Sequence, residues 1–239
     1  MVRGGEDLDE ANDLTTGAAA IHGVPMTTLL LVGATGLVGR HALDMALEDS
    51  RIVRIVAPTR RPLDHHPKLE NPLVDFAALP VDADWWRVTS VVCALGTTQA
   101  KAGSTEAFRK VDHDYPLQIA QISRQAGAQS FALCSSLGAD AASRFTYLRT
   151  KGQLEDDLCK VGFPSVTIIR PGFIEGERSD RRPFQRLTAE ILRRLRPILP
   201  RQYRLSPAPV IARLLIDGAV AGLPGRHIVE AGDIADRLR

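Results

Sequence analysis

With only three cysteines in 239 residues, Cys93, Cys134 and Cys159, each in an apolar context and far from the others, the chain lacks the means for a disulfide framework or a four-thiolate zinc site. Unpaired thiols suit a reducing compartment, and the expected location is cytoplasmic. Six histidines are present, but no HExxH or comparable ligand spacing accompanies them, and the adjacent His65 and His66 read as loop residues, so no metal is expected. No apolar run approaches the ~20 residues that span a bilayer, and no membrane association is expected. The formal charge of +2 is too small to imply a polyanionic partner. Residues 1–25 are acidic and rich in glycine and alanine, without the basic start and apolar middle of a secretion signal; they read as a mobile N-terminal extension. Folding is expected to begin near Met26.

What the chain has instead is alternation. From Thr28 onward, short β-rich runs (LLLVGA, RIVRIVAP, RVTSVVCALG, SFALCSS, SVTIIRP) are separated by longer helical patterns such as GLVGRHALDMALED and FTYLRTKGQLEDDLCKVG. This predicts an α/β fold, a doubly wound parallel sheet of Rossmann-like type covered by helices on both faces. VVCAL is apolar throughout, as a strand buried on both sides should be. A third strand is expected to end at Asp75 in LVDF. The last stretch reads as an Arg-rich loop, helices around Phe184 to Arg196 and Val210 to Val220, and a short strand at HIVE. The expected organisation is one domain over residues 26–239, with 172–239 forming a short helical cap on the substrate side.

At the first strand-to-helix junction the sequence is GATGLVG, with Gly33, Gly36 and Gly39 three apart. A glycine-rich turn in that place is the context of a dinucleotide-binding fingerprint, with phosphate held at the helix N-terminus by free N–H groups and the helix dipole. The backbone from Gly33 through Thr35, Gly36, Leu37, Val38 and Gly39 would then do the holding. The alternative is a plain βα turn of a flavodoxin-like protein. After the second strand comes PTRRPL, where an NAD-binding chain carries an acidic residue. Arg60 and Arg61 suit a 2′-phosphate, so NADP is expected ahead of NAD, unless they are ordinary solvated loop residues. Asp75 is placed near the adenine, and Leu95, Gly96 and Thr97 in CALGTT on the adenosine side.

Tyr147 and Lys151 lie four apart in a helical pattern, so both fall on one face. A phenol of ordinary pKa about 10 exchanges protons poorly at neutral pH, and an adjacent ammonium favours its ionised form. Ser135 and Ser136 end the preceding strand, at the carboxyl edge where open α/β sheets bind ligands, so a substrate oxygen would meet them. The competing reading is a helix-surface pair with a half-buried tyrosine.

Taken together, GATGLVG, the Ser-Ser strand end, Tyr147-x-x-x-Lys151 and the RPG of Arg170 to Gly172 resemble the short-chain dehydrogenases/reductases, in particular their atypical NAD(P)-binding branch. CALGTTQAKAGS, FRKVDHDY, SSLGAD and RPGFIEGER are similar to the Tat-interacting-protein type of oxidoreductase, and the likeness runs from about Thr28 to Arg182. The resemblance implies Tyr147 as catalytic acid/base, Lys151 as its partner and ribose ligand, and Ser136, ahead of Ser135, as the residue polarising the substrate oxygen. It places Pro171 and Gly172 at the nicotinamide end. The chain departs from the pattern at Asp112, where an asparagine is usual, and in a cap shorter than that of sugar-nucleotide epimerases.

Between Arg178 and Arg204 nine arginines face only Asp180 and Glu190. The preferred reading is a solvated helix face, followed by a site for an anionic small substrate; Phe184 and Tyr203 are too few for base stacking, and nucleic acid is not expected. The leading expectation is an NADP-dependent oxidoreductase acting on a carbonyl or quinone-like small molecule, as a monomer or homodimer. An NADPH-sensing regulatory protein with little turnover is the alternative, and an epimerase or dehydratase with tightly held cofactor is the third.

Overall fold

The structure, a computed structural model, describes residues 26–175, 200 and 205–236. The expected N-terminal extension, the helix around Phe184 to Arg196 and the whole Arg178–Arg204 stretch lie outside the described residues.

Seven parallel strands form one sheet. They are β1 (Thr27–Val32), β2 (Ile52–Val56), β3 (Leu69–Glu70), β4 (Ser90–Cys93), β5 (Ser130–Cys134), β6 (Ser165–Arg170) and, last in the chain, β9 (Gly225–Glu230), in the order β3-β2-β1-β4-β5-β6-β9. The chain runs outward from β1 to β3, returns to the middle, and proceeds outward again from β4. The expected doubly wound α/β sheet is therefore present. Its direction reverses between β1 and β4, which pair Leu29 with Ser90 and Val32 with Cys93.

Strand alternation explains the two cores. Leu29 and Leu31 point to one face, where helix α1 (Leu37–Glu48) and helix α6 (Ala208–Ala221) bring Val38, Ala42, Ile211 and Leu215. Leu30 and Val32 point to the other, where they meet Trp86, Phe131, Leu154 and Leu158. Leu154 and Leu158 belong to helix α5 (Thr146–Lys160), which packs beside helix α4 (Tyr115–Gln125). A strand apolar on both sides is stable only between two such layers, which is why TTLLLV carries no polar alternation.

Several boundaries differ from expectation. The third strand is confined to Leu69–Glu70; Asp75 lies beyond it in an exposed turn, where its Oδ1 accepts the Ala77 N–H at 2.9 Å. Proline at position 72 and the single bridge between Thr59 and Leu73 show why the ladder does not continue through LVDF: proline has no N–H to donate. The run STEAFRKVDHDYPLQIAQISRQAG (Ser104 to Gly127), helical in pattern, is broken into α3 (Thr105–Arg109), a π-helical turn at Lys110–Asp114 and α4. A short α2 (Gln99–Ala102) precedes it; Thr98 and Ser104 cap α2 and α3 through their hydroxyls. Beyond β6, β7 (Ile174–Glu175) pairs with β8 (Ser206–Pro207), and α7 (Ala231–Asp236) closes the described chain. HIVE belongs to β9, at the edge beside β6. Among the described residues no helix is long and apolar enough to cross a membrane.

Candidate active site

Because every strand of the sheet is parallel, all of them end at one edge, and the predicted site residues follow those ends. Gly33 to Gly39 follow β1, Arg60 and Arg61 follow β2, Leu95 to Thr97 follow β4, Ser135 and Ser136 follow β5, and Pro171 and Gly172 follow β6.

The glycine turn is built by close approach. Gly33 has φ +90°, a left-handed conformation, and a Cβ there would lie 2.7 Å from the Ala94 carbonyl of the neighbouring strand end. At Gly39 a Cβ would sit 1.9 Å from the Gly33 oxygen, so the first turn of α1 can press directly on the strand. Gly36 is the exposed N-cap of α1; no side chain caps it, and no acidic residue occupies the first turn. The leading N–H groups and the positive end of the dipole are therefore open to an anion. Thr35 is exposed and its carbonyl accepts from Arg40 Nε at 3.2 Å. Leu37 is half-buried, whereas the Val38 side chain is in the core and can offer a ligand only its backbone.

The loop after β2 is held from within. Asn71 Nδ2 donates to the Ala57 carbonyl at 2.6 Å and to Thr59 Oγ1 at 2.8 Å, and Thr59 Oγ1 donates to the Arg61 carbonyl at 2.6 Å. Arg60 and Arg61 project from this fixed backbone, both exposed, and neither side chain makes an ion pair or hydrogen bond among the described residues. Asp75, also exposed, is engaged with its own turn.

The hydroxyl side gathers around α5. Lys151 is buried, at 4% exposure, against Asp112, which is fully buried; Lys151 Nζ meets Asp112 Oδ1 at 2.8 Å. Burial opposes the ammonium, but the Asp112 carboxylate, helped by Tyr147, holds its pKa well above the ordinary lysine value. The other Asp112 oxygen accepts the Thr97 N–H at 2.7 Å, which ties the loop after β4 to the same group. Tyr147, one turn before Lys151, is half-buried with its ring 5.7 Å from that of Phe108, and its hydroxyl makes no hydrogen bond among the described residues. Ser136 Oγ has only a long 3.4 Å contact with the Leu137 carbonyl.

Ser135 differs from its neighbour. It is buried and donates to Glu155 Oε1 at 2.5 Å. Glu155, 1% exposed, also receives Arg170 through two contacts (Nε to Oε1 at 3.1 Å, Nη2 to Oε2 at 2.6 Å) and Arg226 at 3.3 Å; Arg170 reaches Glu230 as well, at 2.9 Å. Ser135 is thus committed to a structural cluster, and Ser136 is the hydroxyl left available. Sequence reasoning missed Glu155, although it stands four residues after Lys151, the spacing that shares a helix face. Its arginine partners, 15 and 71 positions away, leave no local signal. Cys93 and Cys134, at the ends of adjacent strands, are desolvated, and each thiol is pushed up to about 11. Among the described residues no group of three or more His, Cys, Asp or Glu side chains is placed to hold a metal ion.

Comparison with known proteins adds three findings. The HIM1 family model matches residues 71–204, more than half of the chain; it takes in Ser136, Tyr147 and Lys151 but not the Gly33–Gly39 turn. Protein fmp52, mitochondrial, of Aspergillus fumigatus is 34% identical over 213 residues, covering 84% of this chain and 90% of its own, and the FMP52 protein of Candida albicans is 35% identical over 224 residues, covering 87% and 96%. Among solved structures, MoeE5 in complex with UDP-glucose and NAD superposes with a TM-score of 0.65 at 17% identity, over 88% of this chain and 81% of that one. UDP-glucuronic acid 4-epimerase from Bacillus cereus, in complex with UDP-glucuronic acid and NAD, gives 0.63 at 15%, over 84% and 76%. At such identity the likeness is one of fold. The relatives are named mitochondrial proteins, which overturns the cytoplasmic expectation. Three free cysteines carry no signal of compartment.

Proposed function

The chain belongs to the HIM1 family, and from that premise we propose that it is an NADP-dependent oxidoreductase of the atypical short-chain dehydrogenase/reductase type, acting on a carbonyl or quinone-like small molecule. The carrying observation is that the Tyr147 hydroxyl, the Ser136 hydroxyl with only its long contact to the Leu137 carbonyl, and the buried Lys151 stand at the same sheet edge as an uncapped helix N-terminus. The residues fit a dinucleotide: Gly33 and Gly39 leave no side chain between turn and strand, the α1 N–H groups suit the diphosphate, and the exposed Arg60 and Arg61 suit a 2′-phosphate. The similar solved structures that hold NAD have the same fold.

When bound, such a coenzyme supplies or accepts the hydride. Leu95, Gly96 and Thr97 would border its adenosine side, with Asp75 near the adenine and Pro171 and Gly172 at the nicotinamide end. Lys151 would hydrogen-bond the ribose and orient Tyr147. Ser136 Oγ would donate to the substrate oxygen, and the Tyr147 phenol would deliver the proton to that oxygen in reduction or remove it in oxidation. A second reading, an NADPH sensor with little turnover, is favoured by one feature: the Lys151 charge is already engaged by Asp112.

The test follows NADPH binding by its fluorescence and its oxidation by its absorbance, against a panel of quinones and aldehydes. Binding of NADPH well ahead of NADH is expected, with the preference lost in a variant lacking both Arg60 and Arg61 side chains. Tyr147→Phe should lower turnover at least about 100-fold without weakening NADPH binding. Equal affinity for NADH would remove the arginine assignment; equal turnover in Tyr147→Phe would remove the phenol from the chemistry; binding without turnover on any substrate would select the sensor.

A further inference from the structure

We propose that Asp112 is a positioning residue for Tyr147 and Lys151: its carboxylate fastens the loop after β4 to the helix carrying both, and it cancels at the phenol the charge of the neighbouring lysine. The proposal rests on the reading of Tyr147 and Lys151 as the reacting pair.

One carboxylate oxygen of Asp112 accepts a hydrogen bond and the other, buried and outside hydrogen-bond alignment, is met only by an ion pair. Oδ2 accepts the Thr97 N–H at 2.7 Å, and Oδ1 faces Lys151 Nζ at 2.8 Å with no other partner among the described residues. Both side chains are removed from water, at 0% and 4% exposure, so neither charge is screened by solvent. The pair lies directly under the loop backbone: a Cβ at Gly96 would be 3.2 Å from Asp112 Oδ1 and 3.6 Å from Lys151 Nζ. The π-helical turn at Lys110–Asp114 is what aims Asp112 there, while the next residue, His113, turns to Asp114 at 2.8 Å and Asp157 at 3.1 Å.

Charge then decides what the lysine can do. A lone buried ammonium one turn from a phenol acts on it as a full positive charge; an ammonium with a carboxylate at 2.8 Å acts as a short dipole, whose field falls off much faster with distance. The other titratable neighbours do not restore the missing charge. Cys93 on β4 and Cys134 on β5 are neutral thiols until about pH 11, and Glu155, the next turn of α5, is compensated by Arg170. Lys151 is therefore left to hold and orient, presenting to Tyr147 a paired charge in place of a lone one.

The test uses the coenzyme-free full chain and reads tyrosinate formation by ultraviolet difference absorbance against pH, so it decides the matter even for a protein that binds no NADPH. Asp112→Asn keeps the shape and an acceptor for Thr97 while removing the charge. One tyrosine should then ionise about one pH unit lower than in the wild type, and the shift should vanish when Tyr147→Phe or Lys151→Met is added. A D112N titration curve superimposable on the wild-type curve overturns the proposal. If D112N is too unstable to titrate, its melting temperature is compared with that of D112N/K151M: recovery in the double variant is expected, because the unpaired buried ammonium is gone, and failure to recover also overturns it. Asp112→Ala, which removes the Thr97 acceptor as well, should melt lower than D112N; equal melting would dissolve the fastening role.

Discussion

Gly39 has no space for a single added carbon. A methyl group there would overlap the Gly33 carbonyl at 1.9 Å, and backbone on both sides prevents relief by rotamer change. Gly39→Ala is therefore expected to destabilise the fold by about 3 kcal/mol, read by chemical denaturation, and to weaken nucleotide binding because α1 must back away from the turn. Three glycines at three-residue spacing announced this turn in the sequence, since few other demands explain glycine at each of those positions. Tyr147 and Lys151 were legible for a similar reason: helical spacing alone puts them together. Asp112 could be located from the sequence, but its ion pair could not, because the contact with Lys151 exists only once the helices flanking β5 have folded against each other. Ser135 and Ser136 were indistinguishable as letters; burial and the Glu155 carboxylate separate them.

At the scale of elements, α5 carries the proposed reacting pair, Tyr147 and Lys151, on one turn and the structural carboxylate of Glu155 on the next. Glu155 ties it to β6 through Arg170 and to β9 through Arg226. Removing that carboxylate would leave Arg170 without its main partner and Ser135 without its acceptor. Glu155→Ala should cost about 3–5 kcal/mol in a denaturation series. Glu155→Gln, which still accepts from Ser135, should cost clearly less; equal losses would show that packing and not charge holds the junction. Strand and helix order was readable from alternation, because buried parallel strands and amphipathic helices leave different patterns. The π-helical turn and the short β3 were not: the first is a one-residue adjustment inside an otherwise helical run, and the second ends where Pro72 and the Asn71 hydrogen bonds interrupt pairing.

For the molecule as a whole, the buried sheet centre offers a reporter of global opening. Cys93 is fully buried on β4 with its thiol pushed up to about 11, whereas Cys159 is exposed on α5. At pH 8 a soluble alkylating agent should modify Cys159 first, and Cys93 only at the rate set by unfolding of the sheet; mass spectrometry of labelled peptides against denaturant concentration checks this, and early Cys93 labelling would contradict the packing described. The reversal of strand order between β1 and β4 has a different consequence. The glycine turn and the two loop arginines come from the half of the sheet wound one way, and the serines, the phenol and the ammonium from the half wound the other. The close approach of Gly33 to the Ala94 backbone is where the two halves touch at the turn. On the proposed reading, substitutions that retune the coenzyme and substitutions that retune the chemistry fall on different sets of strand ends, so either can be varied by mutagenesis without touching the other.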